Sequence, residues 1–211
     1  KDLIQWSGHP QLQEKLPGFK IRMGFGLHFG WAVESAIGSL LKIDASYLSP
    51  HVNLAARLET ATKEYGVDIL ISEDTYVLLS EFVQRMCRVV DRVTFKGTSR
   101  PMLLYTFDVP FTGTVEDADE FDAGSIRNPR TPVGAFYREC QPKLTTDFRK
   151  TFNVAVNAYL GGDDGKEADW SMCLRALKRC LLLKEGDGPT IAIMKYIESR
   201  GFKVGTGQCI Q

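Results

Sequence analysis

The 211 residues predict a mixed domain of strands and helices, α/β or α+β, followed by an all-helical segment. Three observations predict it. Short runs with a period of two, at 21–27, 43–48, 67–71, 86–95 and 102–108, are interleaved with runs of helical period. Residues 110–143 hold neither period and contain the acidic run Glu116-Asp117-Ala118-Asp119-Glu120-Phe121-Asp122. From Leu144 onward the apolar residues recur at helical spacing alone.

Each element has a local reason. Residues 1–18 are a weakly patterned lead-in in which Pro10, Pro17 and Gly18 mark a loop. Residues 21–27 alternate apolar with polar or glycine, as a strand does; Gly24 and Gly26 there signal close approach of another backbone or a ligand. They are not a dinucleotide fingerprint, because the third glycine is missing and no helix starts there. His28 reads as a packed strand histidine. Residues 29–31 and 36–38 read as a turn and a return strand, and 43–48 as the next strand, ended by Pro50, which biases Ser49 to extended geometry. A helix is predicted over 52–65, with Gly66 as its C-terminal cap. After the strand at 67–71, Ser72 caps a helix reaching about residue 83, with Glu73 and Asp74 in its first turn, where the helix dipole favours them. Residues 86–95 and 102–108 form a final strand pair around a turn at 97–101. In the helical segment, Phe148, Phe152, Ala155, Val156 and Tyr159 share one face, and Trp170, Leu174, Leu177 and Leu181 another. Asp187-Gly188-Pro189 turns the chain into a third helix carrying Ile193 and Ile197, with Phe202 beyond.

Composition narrows the function classes. The hydrophobic fraction of 44% and aromatic fraction of 10% are globular values. A formal net charge of zero gives no global basic field for nucleic acid. No apolar run is long enough to span a bilayer, and no signal pattern opens the chain. The five cysteines, Cys87, Cys140, Cys173, Cys180 and Cys209, are odd in number and contain no CxxC, which fits a reducing compartment and argues against a zinc site. Cys173 and Cys180 read as small core hydrophobes. The acidic run lacks the spacing of a calcium loop and reads as a solvated linker.

The chemistry concentrates in Val52-Asn53-Leu54-Ala55-Ala56-Arg57-Leu58-Glu59. On a helix, Asn53 and Arg57 lie four apart on one face, while Leu54 and Leu58 form the neighbouring, core-facing one. An amide beside a guanidinium is a donor-rich pair, and the planar fork of arginine matches phosphate oxygens. By spacing alone the same residues also fit a helix cap and a surface ion pair.

With the glycine-punctuated pair of strands before it (Arg22-Met23-Gly24-Phe25-Gly26-Leu27 and Ser35-Ala36-Ile37-Gly38), Tyr65-Gly66-Val67-Asp68-Ile69-Leu70-Ile71-Ser72 after it, and then Phe95-Lys96-Gly97-Thr98, the stretch resembles the C-terminal half of a class III adenylate or guanylate cyclase domain over residues 19–109. The resemblance implies an α+β, ferredoxin-like cyclase fold with an incomplete N-terminal half. It implies conversion of ATP to cyclic AMP and pyrophosphate for intracellular signalling, with guanylate cyclase as an alternative. Asn53 would orient the ribose and Arg57 would stabilise charge at the α-phosphate; Lys96 would reach the triphosphate. Ser46, seven residues before the asparagine, would stand at the purine-selecting position, with Asp44 on the same strand face. Adenine is preferred because guanylate cyclases typically carry a cysteine there. Ser49-Pro50 departs from the Gly-Asp usual before this helix.

The family's metal-binding aspartates, ligands for Mg²⁺ or Mn²⁺, belong to the N-terminal half of its domain, so no metal ligand is assigned within this chain. The same resemblance implies a site shared with a second cyclase domain, in a homo- or heterodimer. The chain then reads as a fragment, inactive alone, cytoplasmic, and attached to a membrane only through segments outside it. The expected organisation is a lead-in at 1–18, the cyclase-like half at 19–109, an acidic linker at 110–143 and a helical extension at 144–211. The extension resembles a single tetratricopeptide-like unit with a flanking helix. One such unit rarely buries enough core alone, so it is expected to dock on the cyclase-like domain or on a neighbour. A competing reading of the whole is a catalytically inactive cyclase-like scaffold or regulatory module.

Overall fold

The computed structural model describes residues 8–19, 22–96, 98, 100–108, 144–161 and 167–201, with the backbone alone at 208–210. The predicted linker at 110–143, and Phe202, lie outside the described residues. Two compact units are distinguished: one holds the described residues up to Met23, the other Gly24–Asp108 and the chain from Leu144 onward.

In the first unit a short helix, α1 (Pro10–Lys15), replaces the predicted loop. Proline suits a first helical turn, where its missing N–H has no partner to lose. The Gln13 side chain then closes the following turn, donating to the Phe19 carbonyl at 2.8 Å and accepting from the Gly18 amide at 2.9 Å.

The second unit is mixed α and β. Its elements run β1 (Phe25–Leu27), β2 (Val33–Gly38), β3 (Ile43–Leu48), α2 (Pro50–Tyr65), β4 (Ile69–Ser72), α3 (Glu73–Tyr76), α4 (Glu81–Met86), β5 (Cys87–Phe95), β6 (Met102–Phe107), α5 (Thr146–Leu160), α6 (Trp170–Leu183), α7 (Gly188–Ser199) and β7 (Gln208–Ile210). Five strands form one sheet in the order β1-β4-β6-β5-β7. The β1–β4 and β5–β7 pairs are parallel, and β6 runs antiparallel to both β4 and β5.

Three expectations are corrected. The first strand is shorter than predicted, with only Phe25–Leu27 pairing. The return strand pairs with β3, in register from Val33↔Leu48 to Gly38↔Ile43, and this hairpin is a separate two-stranded sheet. It is closed locally, the Ser39 amide donating to the Lys42 carbonyl at 2.8 Å, so it needs no edge of the main sheet. The helix predicted from Ser72 to about residue 83 is two helices, α3 and α4. The break is stabilised by Gln84, whose amide donates to the Tyr76 and Leu79 carbonyls at 3.0 and 3.1 Å.

The helix α2 lies across one sheet face, where Leu54, Leu58, Ala61 and Tyr65 meet Leu70, Val90, Val93, Phe95 and Leu104. Ile71, Cys87 and Tyr105 form another cluster with Tyr76, Leu79 and Val83, and the Tyr76 and Tyr105 rings stack at 3.7 Å. The room left by Gly24 and Gly26 is taken by α2 itself. A Cβ on Gly26 would overlap the Ala55 carbonyl and the Glu59 amide, and one on Gly24 would overlap the Thr62 hydroxyl. The glycines let helix and strand backbones touch.

The helices after residue 143 build their own core from Phe148, Phe152, Tyr159, Trp170, Cys173, Leu177, Cys180, Ile193 and Ile197, with Val89 of β5 packed against it. Cys173 and Cys180 are buried in it as free thiols, and burial pushes them up to about 12 and 11. A buried ion cluster ties this core to the sheet. Arg88 of β5 donates to Asp108 (2.8 and 3.1 Å) and to Asp187, the N-cap of α7 (3.0 and 3.1 Å), with its guanidinium 4.3 Å from the Phe152 ring centre. Burying these charges is tolerable because they are paired and hydrogen-bonded: Asp187 also accepts from Lys184 and twice from Thr190.

Candidate functional site

Helix α2 carries the predicted pair, and its ends are well determined. Ser49 is the N-cap, its hydroxyl accepting from the His51 amide at 3.0 Å and donating to the Trp31 carbonyl at 2.5 Å. Pro50 takes the first turn, so the helix starts two residues earlier than predicted and the capping role falls to Ser49 rather than Asn53. Gly66, at φ 62, ends it in the left-handed conformation. Leu54 and Leu58 are buried; Asn53 is exposed and Arg57 half-buried.

Arg57 Nη1 donates to the Lys96 carbonyl at 2.7 Å. Lys96 directly follows the buried Phe95 at the end of β5, so the middle of α2 is fixed against the end of that strand. The contact uses one of the five guanidinium donors and orients the rest. It involves the main chain of Lys96; among the described residues, the ammonium of that exposed side chain forms no ion pair.

Ser46 and Asp44 sit on β3 of the hairpin. Ser46 is half-buried opposite Ser35, whose own buried hydroxyl has no hydrogen-bond partner among the described residues. Asp44 is exposed and pairs with Lys42 at 2.9 Å. The structure brings Arg57 and Lys96 together; no hydrogen bond or ion pair joins Ser46 or Asp44 to Asn53 or Arg57.

A histidine pair that sequence reasoning did not find lies beside the start of α2. His28 Nε2 and His51 Nδ1 are 2.8 Å apart, and His28 Nδ1 is 2.8 Å from the Ser72 hydroxyl. Burial and the neighbouring His51 hold the protonated form of His28 below its ordinary range, against an opposing pull from Asp74. Trp31 packs edge-on to His51, and a Cβ on Gly30 would overlap that imidazole. The three polar residues are 23 and 21 positions apart along the chain, so no local spacing announces them.

Among the described residues, no three or more His, Cys, Asp or Glu side chains stand together so as to hold an ion. Among them too, no helix is long and apolar enough to cross a membrane.

No family model matches the chain. Over 87 residues, 41% of this chain and 17% of the relative, it is 34% identical to an adenylate cyclase of Anabaena cylindrica. Over 94 residues it is 31% identical to the terminal-differentiation-specific adenylate cyclase of Dictyostelium discoideum, covering 43% of this chain and 4% of that protein. Among solved structures, the adenylyl cyclase CyaB from P. aeruginosa matches at 29% identity over 46% of this chain and 48% of that one, with a TM-score of 0.35. About two-fifths of the chain is thus similar in sequence to adenylate cyclases, and the chain spans less than a fifth of the length of these two curated relatives.

Proposed function

We propose that the chain carries the C-terminal half of a class III cyclase domain that converts ATP to cyclic AMP and pyrophosphate. The observation that carries this reading is the fixed Arg57: a half-buried guanidinium on an exposed helix face, one turn from Asn53 and held by the Lys96 carbonyl. Phosphoryl transfer of this kind depends mainly on positioning and on neutralising charge. Asn53 orients the ribose. Arg57 meets charge developing at the α-phosphate, and its tether means that little reorganisation is needed when that charge appears. The Lys96 ammonium, on the exposed end of β5, reaches the triphosphate, and Ser46 with Asp44 reads the purine edge. Mg²⁺ or Mn²⁺ would be held by carboxylates of a second cyclase half, which completes the site as a homo- or heterodimer. The ferredoxin-like topology, and a tetratricopeptide-like character for the helices after residue 143, are part of the same proposal.

The test is steady-state kinetics on the completed enzyme. Arg57→Ala lowers kcat by about two to three decades with KM for ATP little changed, because the lost interaction belongs to the transition state. Arg57→Lys recovers little, since a point charge does not reproduce the fork. A raised KM with unchanged kcat would contradict this role.

A further inference from the structure

The Arg57–Lys96 contact is a first hydrogen bond by which the end of β5 holds α2. The second is at the far end of the helix. Asp91 of β5 is buried, 1% exposed, and its carboxylate accepts from the Tyr65 hydroxyl at 2.7 Å and from the Arg92 amide at 2.7 Å. Tyr65 is the last residue of α2. Burial, and then the charge of this carboxylate beside it, push up the hydroxyl of Tyr159, near the end of α5. A break in the β5–β6 register falls between Val89 and Asp91, an irregularity of the kind that re-aims a side chain.

Two further contacts converge there. Arg92 Nη2 donates to the Leu160 carbonyl at 2.8 Å, beside Tyr159. At the start of α7, Gly188 sits so close to α2 that a Cβ would overlap the Tyr65 and Gly66 carbonyls. The ends of α2 and α5 therefore meet beside one buried acid, with the start of α7 against the same end of α2. An isolated carboxylate in such a place is costly, and the Tyr65 hydroxyl and the Arg92 amide offset part of that cost.

We infer that Asp91 is a positioning residue: through its carboxylate, Tyr65 and Tyr159 join α2 to α5, so the helices after residue 143 set where Asn53 and Arg57 stand. The inference rests on the cyclase reading for its consequence, but not for its geometry. Tyr65 lies eight residues along α2 from Arg57, roughly 12 Å on a stiff rod at 1.5 Å per residue. A shift at the Tyr65 end is carried to the Arg57 end, where tolerances are tight: misplacement of about 1 Å costs about a hundredfold in rate.

Amide hydrogen exchange on the 211-residue chain tests this without any activity. Tyr159→Phe, a change confined to α5, is expected to speed exchange in the 53–65 segment about tenfold, the scale of one hydrogen bond to a charged group. Tyr65→Phe should do the same, and the double variant little more, because both act through one carboxylate. Asp91→Asn keeps the shape and one acceptor oxygen and should restore most of the protection that Asp91→Ala loses. Exchange in α2 unmoved by Tyr159→Phe, or raised equally in every segment, would overturn the inference. Alongside, Tyr159→Phe in the completed cyclase should lower kcat several-fold at constant KM; a change in KM alone would also count against it. If the unaltered chain shows no turnover with any completing half, the cyclase reading fails while the exchange result still decides the role of Asp91.

Discussion

Two buried acids, Asp91 and Asp187, titrate in opposite senses. Burial raises Asp91 from 3.8 to about 6, against the opposing hydrogen bonds of Tyr65 and Arg92 and the nearby Tyr159 hydroxyl. Burial would raise Asp187 too, but the hydrogen bonds and charge of Arg88 overcome it and hold Asp187 below its ordinary value. A raised carboxyl stabilises the fold fully below its unfolded value and loses that contribution as pH climbs through the folded one. For Asp91 that window runs from about pH 4 to about pH 6, worth on the order of 2–3 kcal/mol. Asp187 contributes in the reverse sense, its stabilisation present above 3.8 and lost as pH falls below it. Urea unfolding at pH 4.5 and pH 7 should show the unaltered chain losing stability over that interval relative to Asp91→Asn. Equal pH slopes would show that Asp91 is not buried as described. Neither role was legible in the sequence: Arg88 and Asp187 are 99 positions apart, and nothing local marks Asp91 as different from an exposed strand acid.

At the scale of elements, α2 was the most legible feature. Its amphipathic spacing and Gly66 mark its body and its C-terminal end, while its start falls two residues earlier than predicted, with Ser49 as the cap. The hairpin strand 43–48 was read with its observed bounds, whereas its partner was not, because strand pairing is a long-range choice that alternation does not encode. Gly24 and Gly26 were legible as a close approach but not as an approach to α2. That contact makes a prediction. Gly26→Ala drives a methyl group into the backbone at Ala55 and Glu59, neither of which can move without shifting the whole helix. The expected cost is about 1–3 kcal/mol, read from the denaturant midpoint. An unchanged midpoint would mean that β1 and α2 do not touch there.

Across the whole molecule, the core is well covered where α2, α3, α4 and the late helices pack, and poorly covered around the hairpin. Phe29, Trp31, Val33, Ile37, Leu40, Leu41, Ile43, Tyr47 and Leu48 are all exposed on or beside it, with Leu40 and Leu41 wholly so. Exposed apolar side chains gathered on one hairpin in this way mark an interaction face. It lies on the element proposed to read the purine, which agrees with a site completed by a second cyclase half. The measurement that bears most directly on this account is product formation from ATP and from GTP by the 211-residue chain, with Mg²⁺ or Mn²⁺, alone and mixed with a cyclase half that supplies metal-binding aspartates. The account predicts no product from the chain alone, cyclic AMP from the mixture in proportion to complex formed, and little cyclic GMP. Turnover by the chain alone, or a preference for GTP in the mixture, would contradict it.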